Sequence, residues 1–241
     1  MSWRLIITKN TNPYYVTAAD EAIAEARKAK KVTNTLHFYQ RNPPSVSVGR
    51  SKKIKDDINL RECKKNNIAI VRRATGGGTI FTDKGCLIYS LVFDKNDLEI
   101  SCPSEIFEIV CNSIVSGLEK QNINTAYKPP NDILLNGKKI SGSAQIQKKD
   151  IILIHGTILI HTDLVLLQKV LKQTKKDYVS TVNLETKKPF QIHTMRELLI
   201  HEFESTLHTK FTRTSLSEYE KKLCDTLLET RYKKDIWTYG R

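Results

Sequence analysis

The residues most able to do chemistry fall in a few short stretches: Arg72-Arg73 with Gly76, Gly77 and Gly78, the pair Asn131-Asp132, Lys138-Lys139, and His155-Gly156-Thr157. The three glycines stand between strand-like runs, Ile68–Arg73 and Thr79–Thr82, where lost side-chain packing needs a reason. Close backbone approach supplies one. Glycine N–H groups with no Cβ in front of them let a polyphosphate or an acyl phosphate lie against the main chain. In an extended segment Arg72 and Arg73 point to opposite faces, so one reaches a pocket while the other stays outside or pairs with an acid. A plain Gly-rich turn between solvated arginines is the competing reading.

Asn136-Gly137, between Ile133-Leu134-Leu135 and Lys138-Lys139-Ile140, has the sequence of a two-residue type I′ hairpin. That register pairs Lys138 with Leu135 and Lys139 with Leu134, so only one lysine enters a shared pocket. The small residues Ser141, Gly142, Ser143 and Ala144 beside Lys139 leave room for a ligand. His155-Gly156-Thr157 interrupts the apolar run Ile151–Ile160, and polar groups placed there need partners.

The 241 residues carry a formal net charge of +13 and are 39% hydrophobic, as expected of a globular chain with an attraction for polyanions and acidic protein surfaces. Nucleic acid is not favoured as the partner, because the lysines are spread without aromatic interleaving or a recognition-helix signature. Neither an apolar run near the ~20 residues of a membrane span nor a signal peptide is present, which gives a cytoplasmic expectation. Cys63, Cys86, Cys102, Cys111 and Cys224 show no disulfide or zinc spacing and read as ordinary thiols.

Elements must position these groups. Strands are expected at Trp3–Thr8, Asn34–Arg41, Ser45–Gly49, Ile68–Arg73, Thr79–Thr82, Cys86–Phe93 and Ile151–Ile160. Helices are expected from a Thr17 cap to about Ala29, over Leu60–Asn66, from Pro103 with an Ile106, Phe107, Val110, Ile114 and Leu118 stripe, and over Asp163–Lys172. The remainder reads as helical, with capping boxes at Thr194/Glu197 and Ser217/Glu220, one core face of Met195, Leu198, Leu199, Phe203 and Leu207, and another of Tyr219, Leu223 and Leu227. Strands joined by loops argue for an α+β fold with a mixed, largely antiparallel sheet and against a Rossmann repeat.

In order and spacing, RRATGGG with Asp83 and Gly85, Asn131-Asp132, GKKISGSAQ, HGTILIHTDL, Asn183-Leu184 and the closing Trp237-Thr238-Tyr239-Gly240 resemble the lipoate-protein ligase A family over nearly the whole chain. The resemblance implies a catalytic domain of the biotin and lipoate ligase superfamily, with a bent mixed sheet flanked by helices. It also implies a two-step reaction. Lipoate and ATP give lipoyl-AMP with Mg²⁺ assisting, and the acyl group passes to a lysine of an acidic lipoyl carrier domain, a 2-oxoacid dehydrogenase subunit or a glycine-cleavage H protein.

Position by position, the resemblance makes Lys139 the catalytic lysine and Arg73 the arginine on the adenylate. Gly76, Gly77, Gly78, Thr79, Ile80, Phe81 and Asp83 become its loop, Asn131 and Asp132 the pair near the phosphates, with Asp132 the Mg²⁺ ligand. Gly142, Ser143, Ala144, His155, Gly156 and Thr157 line the same pocket. A fixed ammonium, a guanidinium and backbone N–H groups stabilise the oxyanions of both steps without a covalent nucleophile.

Thr82 stands where the family carries histidine, and Leu171–Asn183 is shorter than the family's adenylate-covering loop. Residues 1–241 read as one catalytic domain, with 190–241 its helical C-terminal part. The accessory domain of roughly a hundred residues that many relatives carry is not expected here, so either a small accessory chain in trans or transfer alone is expected. An ATP-independent lipoyl- or octanoyltransferase is the alternative enzyme, but the places where such relatives carry a cysteine read Ala126-Tyr127-Lys128-Pro129-Pro130 and Ser180-Thr181-Val182. A non-catalytic or nucleic-acid-binding relative is the alternative of another class.

Overall fold

In the computed structural model, which describes residues 2–98, 100–172 and 178–240, the run Cys86–Asp94 is a strand buried along almost its whole length. The chain forms β1 (Trp3–Ile7), α1 (Pro13–Lys28), β2 (Asn34–Tyr39), β3 (Ser45–Val48), α2 (Ile54–Asp57), α3 (Leu60–Lys65), β4 (Ala69–Arg72), β5 (Ile80–Thr82) and β6 (Cys86–Asp94). Next come α4 (Pro103–Glu119), β7 (Thr125–Lys128), β8 (Asp132–Leu135), β9 (Lys138–Lys148), β10 (Ile151–Leu159) and α5 (Leu164–Val170). Last are α6 (Val182–Thr186), α7 (Ile192–Thr206), β11 (Phe211–Thr214), α8 (Glu218–Leu227) and α9 (Asp235–Tyr239).

The large sheet runs β11-β1-β2-β6-β10-β9-β8-β7, parallel where β1 meets β2 and β11 and antiparallel elsewhere. A second sheet, β4-β3-β5, accompanies it. The expected mixed, largely antiparallel sheet flanked by helices is therefore present. Period-two alternation sends Leu87, Tyr89, Leu91 and Phe93 toward α4 and α7, where Ile106, Val110, Ile114, Met195 and Phe203 pack. Val92, Ile151 and Leu153 meet Ala18, Ala19 and Ala22 of α1 on the other face. Among the described residues no helix is long and apolar enough to cross a membrane.

Local expectations fail where a tertiary partner outweighs them. The first helix starts at Pro13 rather than Thr17, because Asn12 accepts from the N–H groups of Tyr14 and Tyr15 and proline needs no donor partner there. Thr17 lies inside the helix and donates to Pro13 O at 2.6 Å. The box at Thr194/Glu197 does not form, since α7 already begins at Ile192. The Ser217/Glu220 box forms, but α8 turns Glu220 and Cys224 inward and leaves Tyr219 42% exposed. Arg4 of β1 is the reason, holding the Glu220 carboxylate in a buried pair. Phe211–Thr214, expected to be helical, is a strand because the edge of β1 offers it a parallel ladder.

Candidate functional site

One cross-strand row anchors the site. His37 on β2 faces Ser90 on β6, and Ser90 faces His155 on β10. The small serine between the rings lets one carboxylate, Asp20 of α1, span both. It accepts from His37 Nδ1 at 2.9 Å, His155 Nδ1 at 3.0 Å and Tyr39 OH at 2.8 Å. Burial alone would raise the Asp20 pKa, but hydrogen bonds from His155 and His37 hold it well below the carboxylate range. Burial likewise lowers the His155 pKa against the pull of Asp20, so the ring is neutral at pH 7. With Nδ1–H given to Asp20, Nε2 accepts from the Thr75 hydroxyl at 2.7 Å.

This array makes stability depend on pH. His155 has a depressed folded pKa, so an unfolded chain takes its proton first, near pH ~6.5, and the stabilisation present above that value is lost on acidification. Asp20 is depressed as well, and its contribution drains away below pH ~4. The urea midpoint is expected to fall between pH 7.5 and 5.5 and to flatten over that interval in His155→Gln. An unchanged wild-type midpoint would remove His155 as the cause.

The two arginines do lie on opposite faces, but neither is solvated. Arg72, 1% exposed, donates to the carbonyls of Gly49, Arg50, Lys52, Trp237 and Thr238. Arg73, 4% exposed, turns toward the glycine loop. It donates from Nε to Thr75 Oγ1, from Nη1 to Ser47 O, and from Nη2 to Gly76 O and Gly78 O, each within 3.0 Å. The loop's shape thus comes from Arg73, and burial brings that guanidinium's pKa down to about 10. Gly77 has φ +84°, and a Cβ on Gly49 would meet Gly77 O at 2.2 Å, so the loop packs against a fourth glycine.

The hairpin has the expected register, Leu135 opposite Lys138 and Leu134 opposite Lys139, with positive φ at Asn136 and Gly137. Lys138 reaches Glu185 Oε1 at 2.9 Å, while Lys139 Nζ lies 2.5 Å from Asp132 Oδ1. Gly142 is what admits the ammonium, since a Cβ there would stand 2.8 Å from both Cε and Nζ of Lys139. The lysine's backbone is also tied down, its N–H to Tyr178 O and its carbonyl to Ser180 N–H.

Lys139 stands where two cavities meet. The inner one, about 120 Å³, has Arg73, Asn131, Ser143 and His155 in its wall; the outer, about 320 Å³, is lined by Ile80, Phe81, Leu159, Leu167 and Val179. Thr79, Ile80, Lys139, Gly142 and Thr157 belong to both.

Of the residues singled out in the sequence, Arg73, Gly78, Thr79, Ile80, Asn131, Lys139, Gly142, Ser143, Ala144, His155, Gly156 and Thr157 converge on the inner cavity. Gly76 and Gly77 form the loop behind it, and Phe81 joins the core while touching the outer cavity. Asp83 is elsewhere, accepting from Gly85 N and Asp163 N, and Thr82 is fully buried with its hydroxyl 3.1 Å from that of Ser45. The Leu171–Asn183 segment lies partly outside the described residues.

Asp20, His37, Tyr39, Arg41, Ser47 and Thr75 were missed. A signal existed, because His37, Tyr39 and Arg41 alternate on one side of the chain opposite the apolar Leu36 and Phe38. All five cysteines are described and none lines either cavity. Burial pushes Cys63 up to about 11 and Cys111 and Cys224 up to about 12.

For Mg²⁺ the donor set is thin. Among the described residues no group of three His, Cys, Asp or Glu side chains could hold a metal ion. Asp132 has Lys139 at one oxygen and the Tyr178 hydroxyl 3.4 Å from the other, so it could contribute at most a single carboxylate to an ion whose remaining ligands come from elsewhere.

The lipoyl protein ligase A/B catalytic domain family matches residues 12–212, and the chain belongs to that family. It is similar to octanoyltransferase LipM of Brevibacillus brevis, 29% identical over 99% of both chains. It is also similar to lipoate-protein ligase A subunit 1 of Thermoplasma acidophilum, 32% identical over 85% of this chain and 84% of the relative. Among solved structures, lipoate-protein ligase A bound with ATP superposes with a TM-score of 0.89 at 28% identity, covering 100% of this chain and 99% of the other. A bipartite lipoate protein ligase of Thermoplasma acidophilum, solved with its E2 lipoyl domain, gives 0.88 at 27%, covering 100% and 97%.

Proposed function

We propose that the chain is a lipoate-protein ligase that activates lipoate with ATP as lipoyl-AMP and transfers the lipoyl group to a lysine of an acidic lipoyl carrier domain. The observation that carries this reading is Lys139 at the meeting of two cavities, one with Arg73 and His155 in its wall and the other lined by Phe81, Leu159 and Leu167, with no cysteine in the wall of either. Thioester transfer requires an activated thiol, whereas direct adenylation and aminolysis require donors aimed at oxygens that gain charge.

In the first step the lipoate carboxylate attacks the α-phosphorus and pyrophosphate leaves. Lys139 stabilises the charge gathering on the acyl and phosphoryl oxygens, and the glycine-loop backbone flanks it. Magnesium on the triphosphate would offset further negative charge, with Asp132 the carboxylate placed to hold it. In the second step the carrier amine attacks the acyl carbon and AMP leaves, its developing charge met by the same ammonium. Neutral His155, fixed by Asp20 and Thr75, keeps the wall of the inner cavity rigid.

The test is pyrophosphate release dependent on both lipoate and ATP, with a lipoyl mass increase on a carrier domain. A second reading, octanoyl transfer without ATP, is favoured by the full-length similarity to the Brevibacillus brevis octanoyltransferase. Acyl transfer from an octanoylated carrier in the absence of ATP, with no pyrophosphate release in its presence, would replace the ligase by the transferase.

Residues 1–241 act in this reading as one catalytic unit that works with a separate small chain, a reading supported by the bipartite make-up of the Thermoplasma acidophilum ligase. The net charge of +13 steers the acidic carrier, so the transfer rate is expected to drop several-fold from low to high salt. A salt-independent rate would give the excess charge another role.

A further inference from the structure

The inner cavity contains a second guanidinium, and the proposed reaction leaves it unused. Arg41 follows His37 and Tyr39 at every second position as the chain leaves β2, and it lines the inner cavity but not the outer one. It is 3% exposed. Its Nη2 donates to Thr17 Oγ1 at 2.9 Å, while Nε and Nη1 are buried with no hydrogen-bond acceptor. Of the polar groups around it, the Tyr39 hydroxyl oxygen faces the guanidinium, and the others are committed elsewhere. Tyr39 and His155 donate to Asp20, and Arg73 donates to the glycine loop. A buried charged donor without an acceptor is costly, and one in a cavity wall is explained by an acceptor that the ligand brings.

We propose that Arg41 reads the distal end of the acyl chain, selecting medium-chain acids that carry an acceptor there, oxygen or ring sulfur, over a plain alkyl acid of the same length. The inference rests on the ligase reading above: with the acyl carbonyl at Lys139, the chain runs into the inner cavity, whose wall includes Arg41. A terminal methyl group packed there would leave the two buried N–H groups without an acceptor. An oxygen accepts from them fully, and a ring sulfur accepts weakly but is polarisable. Arg73 cannot make the same selection, because its donors already hold the loop.

The experiment is calorimetric binding of octanoate, 8-hydroxyoctanoate and lipoate to the full chain, in wild type, Arg41→Met and Arg41→Lys, each first checked by thermal melting. ATP-dependent pyrophosphate release is measured with the same acids. Wild type is expected to bind the two acceptor-bearing acids at least about tenfold more tightly than octanoate, a difference of about 1.4 kcal/mol. Arg41→Met should bring that ratio to within about twofold, mainly by tightening octanoate, with Arg41→Lys in between. Should Arg41→Met fail to fold, a reduced ratio in Arg41→Lys supports the inference and an unmoved one overturns it.

If the acids bind and react but the ratio is equal in wild type and variants, the inference fails and the ligase reading stands. Loss of nucleotide affinity with an unmoved acid ratio also overturns it, by placing a phosphoryl oxygen on Arg41. If no acid binds or reacts in wild type, the ligase reading fails and this selection fails with it.

Discussion

Lys139→Ala is expected to lower acyl-adenylate formation and transfer by on the order of a hundredfold or more, with a smaller change in substrate affinity, as for removal of one preorganised donor to a developing oxyanion. Lys138→Ala, one residue away, is expected to change either rate by less than about threefold, because its ammonium sits on Glu185 on the opposite side of the hairpin. The contrast comes from register, since the turn at Asn136-Gly137 sends the two side chains to different faces. Gly142→Ala gives an independent check: the added Cβ would occupy the place of the Lys139 ammonium, so this variant should behave as a partial Lys139 deletion. Single-turnover rates for the three variants decide the matter, and equal small losses from both lysines would show that neither touches the reacting oxygens.

Arg72→Met is expected to destabilise the protein by at least about 3 kcal/mol, because removal of the guanidinium leaves several buried carbonyls without a donor. For a chain of this size that is a fall in Tm of roughly 6–12 °C. Arg72 fastens three separate pieces of chain: the turn after β3, its own strand β4, and α9, whose Trp237 returns a hydrogen bond to Arg72 O at 2.8 Å. Loosening should therefore begin at the C-terminal end, where proteolysis ought to trim the variant first. Arg73→Met strips the glycine loop of its clasp, and its loss should show in activity before it shows in Tm. A melting temperature for Arg72→Met within a degree of wild type would show that these hydrogen bonds contribute little to stability.

How far the sequence reached follows from what local patterns can encode. The strand periods, the Asn136-Gly137 turn and the stripe on α4 are written within a few residues, and the structure has them in place. The residues of the glycine loop, the hairpin and the His155 triplet were recognisable by type, so the greater part of the inner cavity was legible before any fold was known. The other part depends on long-range pairing. That Asp20 is buried beneath two histidines required the row His37, Ser90 and His155, which joins three strands far apart in sequence and becomes a row only when the sheet closes.

The same holds for the arginines. Two adjacent letters gave opposite faces, but only packing decided that both would be buried, one clasping α9 and the other the loop, while Arg41, in the wall of the inner cavity, keeps two buried donors without an acceptor. Asp83 shows the reverse case, a residue whose neighbours in sequence suggested the pocket and whose hydrogen bonds lie in the turns on either side of β10 and β6. A sequence names the groups that can hold a charge. Which charge meets a partner and which is left for a ligand is decided by the desolvation and geometry of the closed fold.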